Sequence, residues 1–196
     1  MIAVFGLAAC ASRVPVATVA TKEVVATEGQ AANVTQAAML VLRDACLANT
    51  LNKEAMDAWL ALHLFRPASP LAAAQLTMGR PGSVWLSGEP ALPFAVITRP
   101  SGISCQIMAP TADPEQAARL FRETVMSLAR PNGLQVRQDA DGTVDLGDQP
   151  GRRVAFRVGA RPIERGGFNL VLSATKPRPG GVALLITASA APPETP

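Results

Sequence analysis

Three observations in the sequence predict an α+β fold, with a helical N-terminal section and one central helix packed on one face of an antiparallel β-sheet. Helix-start and helix-stop residues crowd into Asn33–Met78. An isolated Asp113-Pro114-Glu115-Gln116 marks one further helix. The last third of the chain then alternates apolar with polar or small residues, the pattern of strands with one buried and one wetter face.

Taken in order, Asn33 is placed to cap the first helix, with Gln36 closing a capping box. That helix is expected to reach about Ala48, with Ala38, Leu42, Ala45 and Cys46 inward and Met39 beside them. Asn52 caps a second helix that carries Met56, Trp59, Leu60, His63 and Leu64 at helical spacing and ends at Pro67. Ser69-Pro70 starts a short third helix that stops at Gly79. The section from Asn33 to Met78 thus reads as all helical. Val84–Ser87 is a short strand candidate. Phe94–Arg99 and Ile103–Met108 flank Pro100-Ser101-Gly102 and read as a hairpin.

In the central helix Asp113 caps and Pro114 takes the first helical position, and Ala117, Leu120, Phe121, Val125 and Leu128 form one stripe. Pro131-Asn132-Gly133 ends it. Strands follow at Leu134–Gln138, Thr143–Leu146, Arg152–Val158, Phe168–Thr175 and Val182–Ser189, with Asp139-Ala140-Asp141-Gly142 as a turn. Val154, Phe156 and Val158 share one face, as do Phe168, Leu170 and Leu172, and Val182, Leu184 and Ile186. The helices are expected to cover that face. No internal repeat is visible.

A chain of 196 residues defaults to one domain and can bury a real core. Aromatic residues make up 4% and tyrosine is absent, which leaves few stacking platforms for single-stranded nucleic acid and excludes it as an expected partner. The net charge is only +3. Arginine outnumbers lysine, which fits a GC-rich genome better than a nucleic-acid function.

The N-terminus carries the most specific signal. Ile2–Ala9 is an apolar run with small residues at Ala8 and Ala9, too short to span a bilayer as a helix, which takes about 20 apolar residues. Leu7-Ala8-Ala9-Cys10 resembles a bacterial lipobox. The resemblance implies that Cys10 takes a diacylglyceryl thioether and becomes the first residue after cleavage. Ala11, not Asp, follows it, which for such lipoproteins implies the outer membrane, facing the periplasm. No Lys or Arg precedes Cys10, and an upstream start accounts for that. The expected organisation is a signal peptide over 1–9, a lipidated cysteine and tether over 10–32, one domain over 33–191 and a frayed tail over 192–196. The alternative for Cys10 is an ordinary thiol in a short leader.

Once Cys10 is spent on lipid, Cys46 and Cys105 remain. An even pair in an oxidising compartment points to a disulfide joining the first helix to the hairpin. Two buried thiols that never meet are the alternative. Two separated cysteines and one histidine do not make a usual zinc set, so neither metal nor cofactor is expected.

No residue emerges as catalytic. His63, the single histidine, sits near the apolar face of a helix with no orienting partner or nucleophile at local spacing. Ser173-Ala174-Thr175-Lys176 matches Ser-x-x-Lys of penicillin-recognising enzymes, but on a strand the Ser and Lys point to opposite faces, and the family's other motifs are absent. Asp139–Asp145 is similar to a calcium loop, but its glycine comes at the fourth position and not the sixth. Arg152, Arg153, Arg157, Arg161 and Arg165 form a basic stretch, which reads either as a surface for an anionic envelope component or, with more weight, as a solvated face.

The folded part is similar in layout to small bacterial lipoproteins with one cysteine on a helix and one on a strand, a likeness that implies no activity. The function expected is a binding or scaffolding module, held at the membrane by its lipid and presented to another envelope protein or an anionic component. A small-ligand pocket between helices and sheet is the alternative, and a hydrolase ranks third. Cells expressing the gene with its natural upstream region should incorporate a palmitate analogue into the wild type and not into Cys10→Ala. Absence of label from both would remove the anchor.

Overall fold

The alternating runs assemble into one eight-stranded antiparallel sheet in the order β1-β2-β3-β4-β8-β7-β6-β5, seen in a computed structural model that describes residues 28–102, 104–147, 149–163 and 166–193. The elements are α1 (Glu28–Val41), a π-helical segment (Leu42–Leu47), α2 (Lys53–Leu62), β1 (Phe65–Pro67), α3 (Pro70–Thr77), β2 (Ser83–Ser87), β3 (Ala95–Thr98), β4 (Cys105–Ala109), α4 (Pro114–Ala129), β5 (Gln135–Leu146), β6 (Gln149–Gly159), β7 (Gly167–Thr175) and β8 (Leu184–Ala191). The α+β fold is therefore the one the sequence predicts. The strand order shows what the sequence hid: two four-stranded meanders, each led by helix, meet last strand to last strand at β4 and β8.

One face of the sheet is the helical face. Val96, Ile107, Ile186, Leu172 and Val154 lie in one register row across β3, β4, β8, β7 and β6, and all five are buried. Phe121 of α4 packs on Phe156, with ring centroids 5.9 Å apart. Asp113 caps α4 as expected, its carboxylate accepting from the Gln116 amide at 2.7 Å. Asn52 caps α2 through the Ala55 amide at 2.9 Å. Ser69 caps α3.

Several boundaries differ from expectation, each for a packing reason. The first helix is already formed at Glu28, the first described residue, so Asn33 is an exposed residue inside it and not its cap. Ala31, Val34 and Ala38 form its buried stripe, and tertiary burial extends a helix past a plausible cap. The domain thus begins before the expected tether ends at residue 32, while Cys10 lies outside the described residues. From Leu42 the helix widens to a π turn, with the Ala48 amide donating to Arg43 at 2.9 Å. That widening turns Leu42, Ala45, Cys46 and Leu47 all inward.

The second helix stops at Leu62, because Leu64 turns left-handed (φ 61) and its carbonyl accepts from Gly88 at 2.8 Å. Phe65–Pro67 is then an edge strand, the position a sheet tolerates for proline. The section Asn33–Met78 is accordingly not all helical. Asp139–Gly142 is not a turn either. β5 runs through it with a bulge between Gln138 and Ala140, and the chain turns at Gly147 (φ 76). Val182 precedes β8 and is exposed, so it does not share the buried face of Leu184 and Ile186.

The helices are not all on one face. Val84 and Ile97 are paired and buried, yet they alternate with residues that point at α2, so they lie on the opposite face. There α3 packs against β2.

Cys46 and Cys105 are joined by a disulfide, with Cα atoms 5.9 Å apart and a sequence separation of 59. The bond ties the π segment to β4. In the chain-entropy account a loop of that length contributes about 4 kcal/mol. Cys46→Ala/Cys105→Ala should therefore lower stability in denaturant titration by about that amount, and reduction of the wild type should match the double variant. Equal stability of oxidised and reduced protein would contradict it.

Candidate ligand-binding face

Polar side chains converge most closely at Asp57 of α2. Its carboxylate accepts from Ser83 Oγ at 2.9 Å and Trp85 Nε1 at 2.8 Å on β2, and from Thr98 Oγ1 on β3. Lys53, one helical turn back, pairs with it at 2.5 Å. Burial alone pushes this carboxyl up, and the bonds from Lys53, Thr98, Trp85 and Ser83 together outweigh that, so Asp57 titrates below its ordinary range. The three donors on β2 and β3 hold α2 to the sheet, and Lys53 braces the carboxylate from within the helix. The cluster acts as a clamp between helix and sheet.

His63 is also used in the fold. Its ring stacks on Trp59 with centroids 3.8 Å apart, and Nδ1 meets the Trp59 carbonyl at 2.7 Å. It is exposed and not packed on an apolar face. Ser173 is on β7, and Lys176 lies beyond the strand and exposed.

The structure divides the basic stretch. Arg152 is on the helical face, bonded to Asp141 at 2.9 Å and paired with Glu115 at 3.3 Å. Arg122 of α4 adds a two-pronged bond to Asp141, 2.8 Å in each arm, which holds that carboxyl below its ordinary range. Arg157 is buried, and its guanidinium donates to the Pro192 carbonyl at 2.6 Å. Arg153 is exposed on the opposite face, Arg161 is exposed in the following loop, and Arg165 lies outside the described residues. The four described arginines of the stretch therefore do not make one surface. The alternation of β6 sends Arg152 and Arg153 apart, and burial removes Arg157.

A hollow does form on the opposite face, at the end where β2 leaves the sheet and β8 enters it. It holds about 360 Å³, within the range of small-ligand sites. Leu86, Ala95 and Met108 floor it. Leu76 of α3 forms one wall, and Gly181 and Val182 the other. A Cβ on Gly181 would sit 2.5 Å from the Arg178 side chain, so the glycine lets that loop fold against the groove. Leu86 is 37% and Val182 43% exposed, so the apolar lining meets solvent.

The floor is part of a longer row. Cross-strand partners run Arg66, Leu86, Ala95, Met108, Leu185, Ser173 and Arg153 from β1 to β6. Sequence reasoning missed this face. The signal was there in Leu184-Leu185-Ile186, an apolar run without alternation, which says that both faces of β8 carry apolar side chains.

Among the described residues no three His, Cys, Asp or Glu side chains come together as a metal site, and no helix is long and apolar enough to cross a membrane. Comparison of the chain with protein-family models, curated proteins and solved structures finds no match.

The Asp57 clamp makes two measurable claims. Asp57→Ala should destabilise the fold by about 2–4 kcal/mol, since it leaves Lys53 and three partly buried donors without their acceptor. A carboxylate titrating lower in the folded than in the unfolded chain adds stability above the unfolded pKa and loses it as pH falls through the folded one. Wild-type stability should therefore fall on acidification below about pH 4, with a smaller fall in Asp57→Asn. Superimposable acid-denaturation curves would refute this.

Proposed function

We propose that the chain is an envelope lipoprotein, anchored through Cys10, whose domain is a binding module that holds an apolar ligand on the open face of its sheet. The groove between α3 and the sheet carries this reading. It is walled on two sides, apolar and open to solvent, and exposed apolar surface of that kind marks binding sites. The Asp57 carboxylate and the histidine are engaged in holding the fold, which favours binding over catalysis. The Cys46–Cys105 bond supports an oxidising compartment, in keeping with export.

A second reading is favoured by Leu62 and Leu64 at the end of α2 and by Leu71 and Met78 on and just after α3, each more than 70% exposed. These side chains suit contact with another envelope protein. Under that reading the groove contributes to a protein interface and not to a ligand site.

A neutral naphthylamine dye that brightens in apolar surroundings tests the leading reading. The wild type should bind it, and Met108→Glu should weaken binding about tenfold or more, since a charge would have to be desolvated on the groove floor. An unchanged unfolding curve would show that the variant remains folded. A wild type that leaves the dye dark would overturn the reading.

A further inference from the structure

The groove opens at the edge of the sheet beside a cation. The geometry points to a medium-chain fatty acid of about twelve carbons as the ligand, its carboxylate at Arg66 and its chain along the groove floor. This rests on the binding-module reading and names the ligand class for it.

Register places the parts. Arg66 of β1 pairs with Leu86, Leu86 with Ala95 and Ala95 with Met108. Arg66 therefore shares the face of the floor residues and lies next to the first of them. Val84 and Ile97, the neighbouring pair on that face, are buried, whereas Leu86 and Arg66 are exposed. So α3 flanks the row without crossing it, which leaves the end at Arg66 open. With strands about 4.8 Å apart, Arg66 lies about 14 Å from Met108. A carbon chain advances about 1.2 Å per bond, since the three bonds of an extended peptide residue span about 3.5 Å. About twelve carbons therefore cover Leu86, Ala95 and Met108 and reach the wall at Val182.

Charge sets the head group. A Cβ on Gly88 would sit 3.7 Å from Arg66 Nε, so the guanidinium extends along the edge toward Ser87 and Gly88, and Ser87 belongs to the groove lining. Arg66 is exposed and has no ion pair or side-chain hydrogen bond among the described residues. Glu89, the acidic residue nearest to it along the rim, accepts from the Ala91 amide at 3.5 Å instead. A planar guanidinium bonds the two oxygens of one carboxylate side by side. Arg178, packed against Gly181 at the other wall, is already engaged, so one guanidinium faces one singly charged head. Arg153 is three strands past Met108 on the same face, about 14 Å beyond the floor, and is out of reach of that head.

The test is equilibrium binding to the purified full chain, carrying Cys10→Ala so that no lipid of its own competes, read by displacement of the naphthylamine dye. Dodecanoate should displace it with one site per chain, and dodecanol about tenfold less well, the usual worth of one charge-assisted contact. Arg66→Glu should bring dodecanoate down to the alcohol, Arg66→Lys should keep most of the preference, and Arg153→Glu should leave it unchanged. Displacement should strengthen about twofold per methylene from octanoate to dodecanoate and level off by hexadecanoate, since methylenes past Val182 find no groove to bury them. Thermal unfolding of each variant should match that of the parent chain, as expected for exposed positions.

Equal displacement by dodecanoate and dodecanol would overturn the inference while leaving the binding module intact. So would a preference that survives Arg66→Glu or is lost in Arg153→Glu. Displacement that keeps strengthening to hexadecanoate would contradict the placement of the chain and overturn it. Capture by phosphatidylglycerol vesicles without displacement by free dodecanoate would assign the face to a lipid surface, with the same consequence. A dimer that Leu86→Glu dissociates would give the face to a second copy and overturn it as well. A dye that never binds would instead sink the binding-module reading itself.

Discussion

β4 pairs with β8, and the placement of the other elements follows from that seam. Each meander alone is a four-stranded sheet led by helix. Joining them through Cys105–Ala109 and Leu184–Ala188 makes one sheet in which alternation stays in phase from β1 to β6. Because side chains repeat every two residues, a slip of one residue there would send Ile186 and Leu184 to solvent and Leu185 inward. Ile107 opposite Ile186 and Cys105 opposite Ala188 fix the register by burial. The core on one face and the groove on the other both follow from that single alignment.

Three devices then hold helices to this sheet, and they differ in kind. α4 is held by apolar contact, with Phe121 on Phe156. The π segment is held covalently through Cys46. α2 buries Met56 and Leu60 and is oriented by Asp57, whose three sheet donors sit on two strands. A partly buried carboxylate gains little net stability over an apolar replacement, but it is costly to break and directional. It fixes where α2 lies along β2 and β3 in a way that leucine contacts do not. With α2 fixed, the chain must turn at His63 and Leu64, lay down β1 at the edge and return on the other face as α3. The groove wall at Leu76 is thus a consequence of the clamp on the far side of the sheet.

That arrangement explains why the groove is apolar while the surface around it is not. The helical face consumes the long apolar side chains of β6, β7 and β8, and the opposite face is left with Ser173, Thr187 and Asn169 in its middle. Toward β2, β3 and β4, under α3, the opposite face becomes continuously apolar, with Leu86, Ala95 and Met108 in register with Leu185 of β8. The basic residues that the sequence places together are separated by the same alternation, one to the helical side in a network with Asp141 and Glu115, one to the open side at the end of the apolar row.

Local sequence was enough to set which segments of the last third become strands, the caps at Asn52, Ser69 and Asp113, and the α+β class. Each of these depends on two-residue alternation or on one side chain bonding a nearby amide. The cysteine count narrowed the disulfide to Cys46 and Cys105, once Cys10 was set aside. Packing between distant segments settled the rest: that α1 runs through Asn33, that α2 stops at Leu62, that Asp139–Gly142 is strand, and that α3 lies apart from the other helices. Those outcomes depend on burial against parts of the chain far away in sequence, on which local propensity is silent. The groove belongs to the second group, because its floor comes from three strands of the first meander and its walls from a helix and a loop about 100 residues apart. No window of sequence contains it, although Leu184-Leu185-Ile186 signalled that β8 would be apolar on both sides.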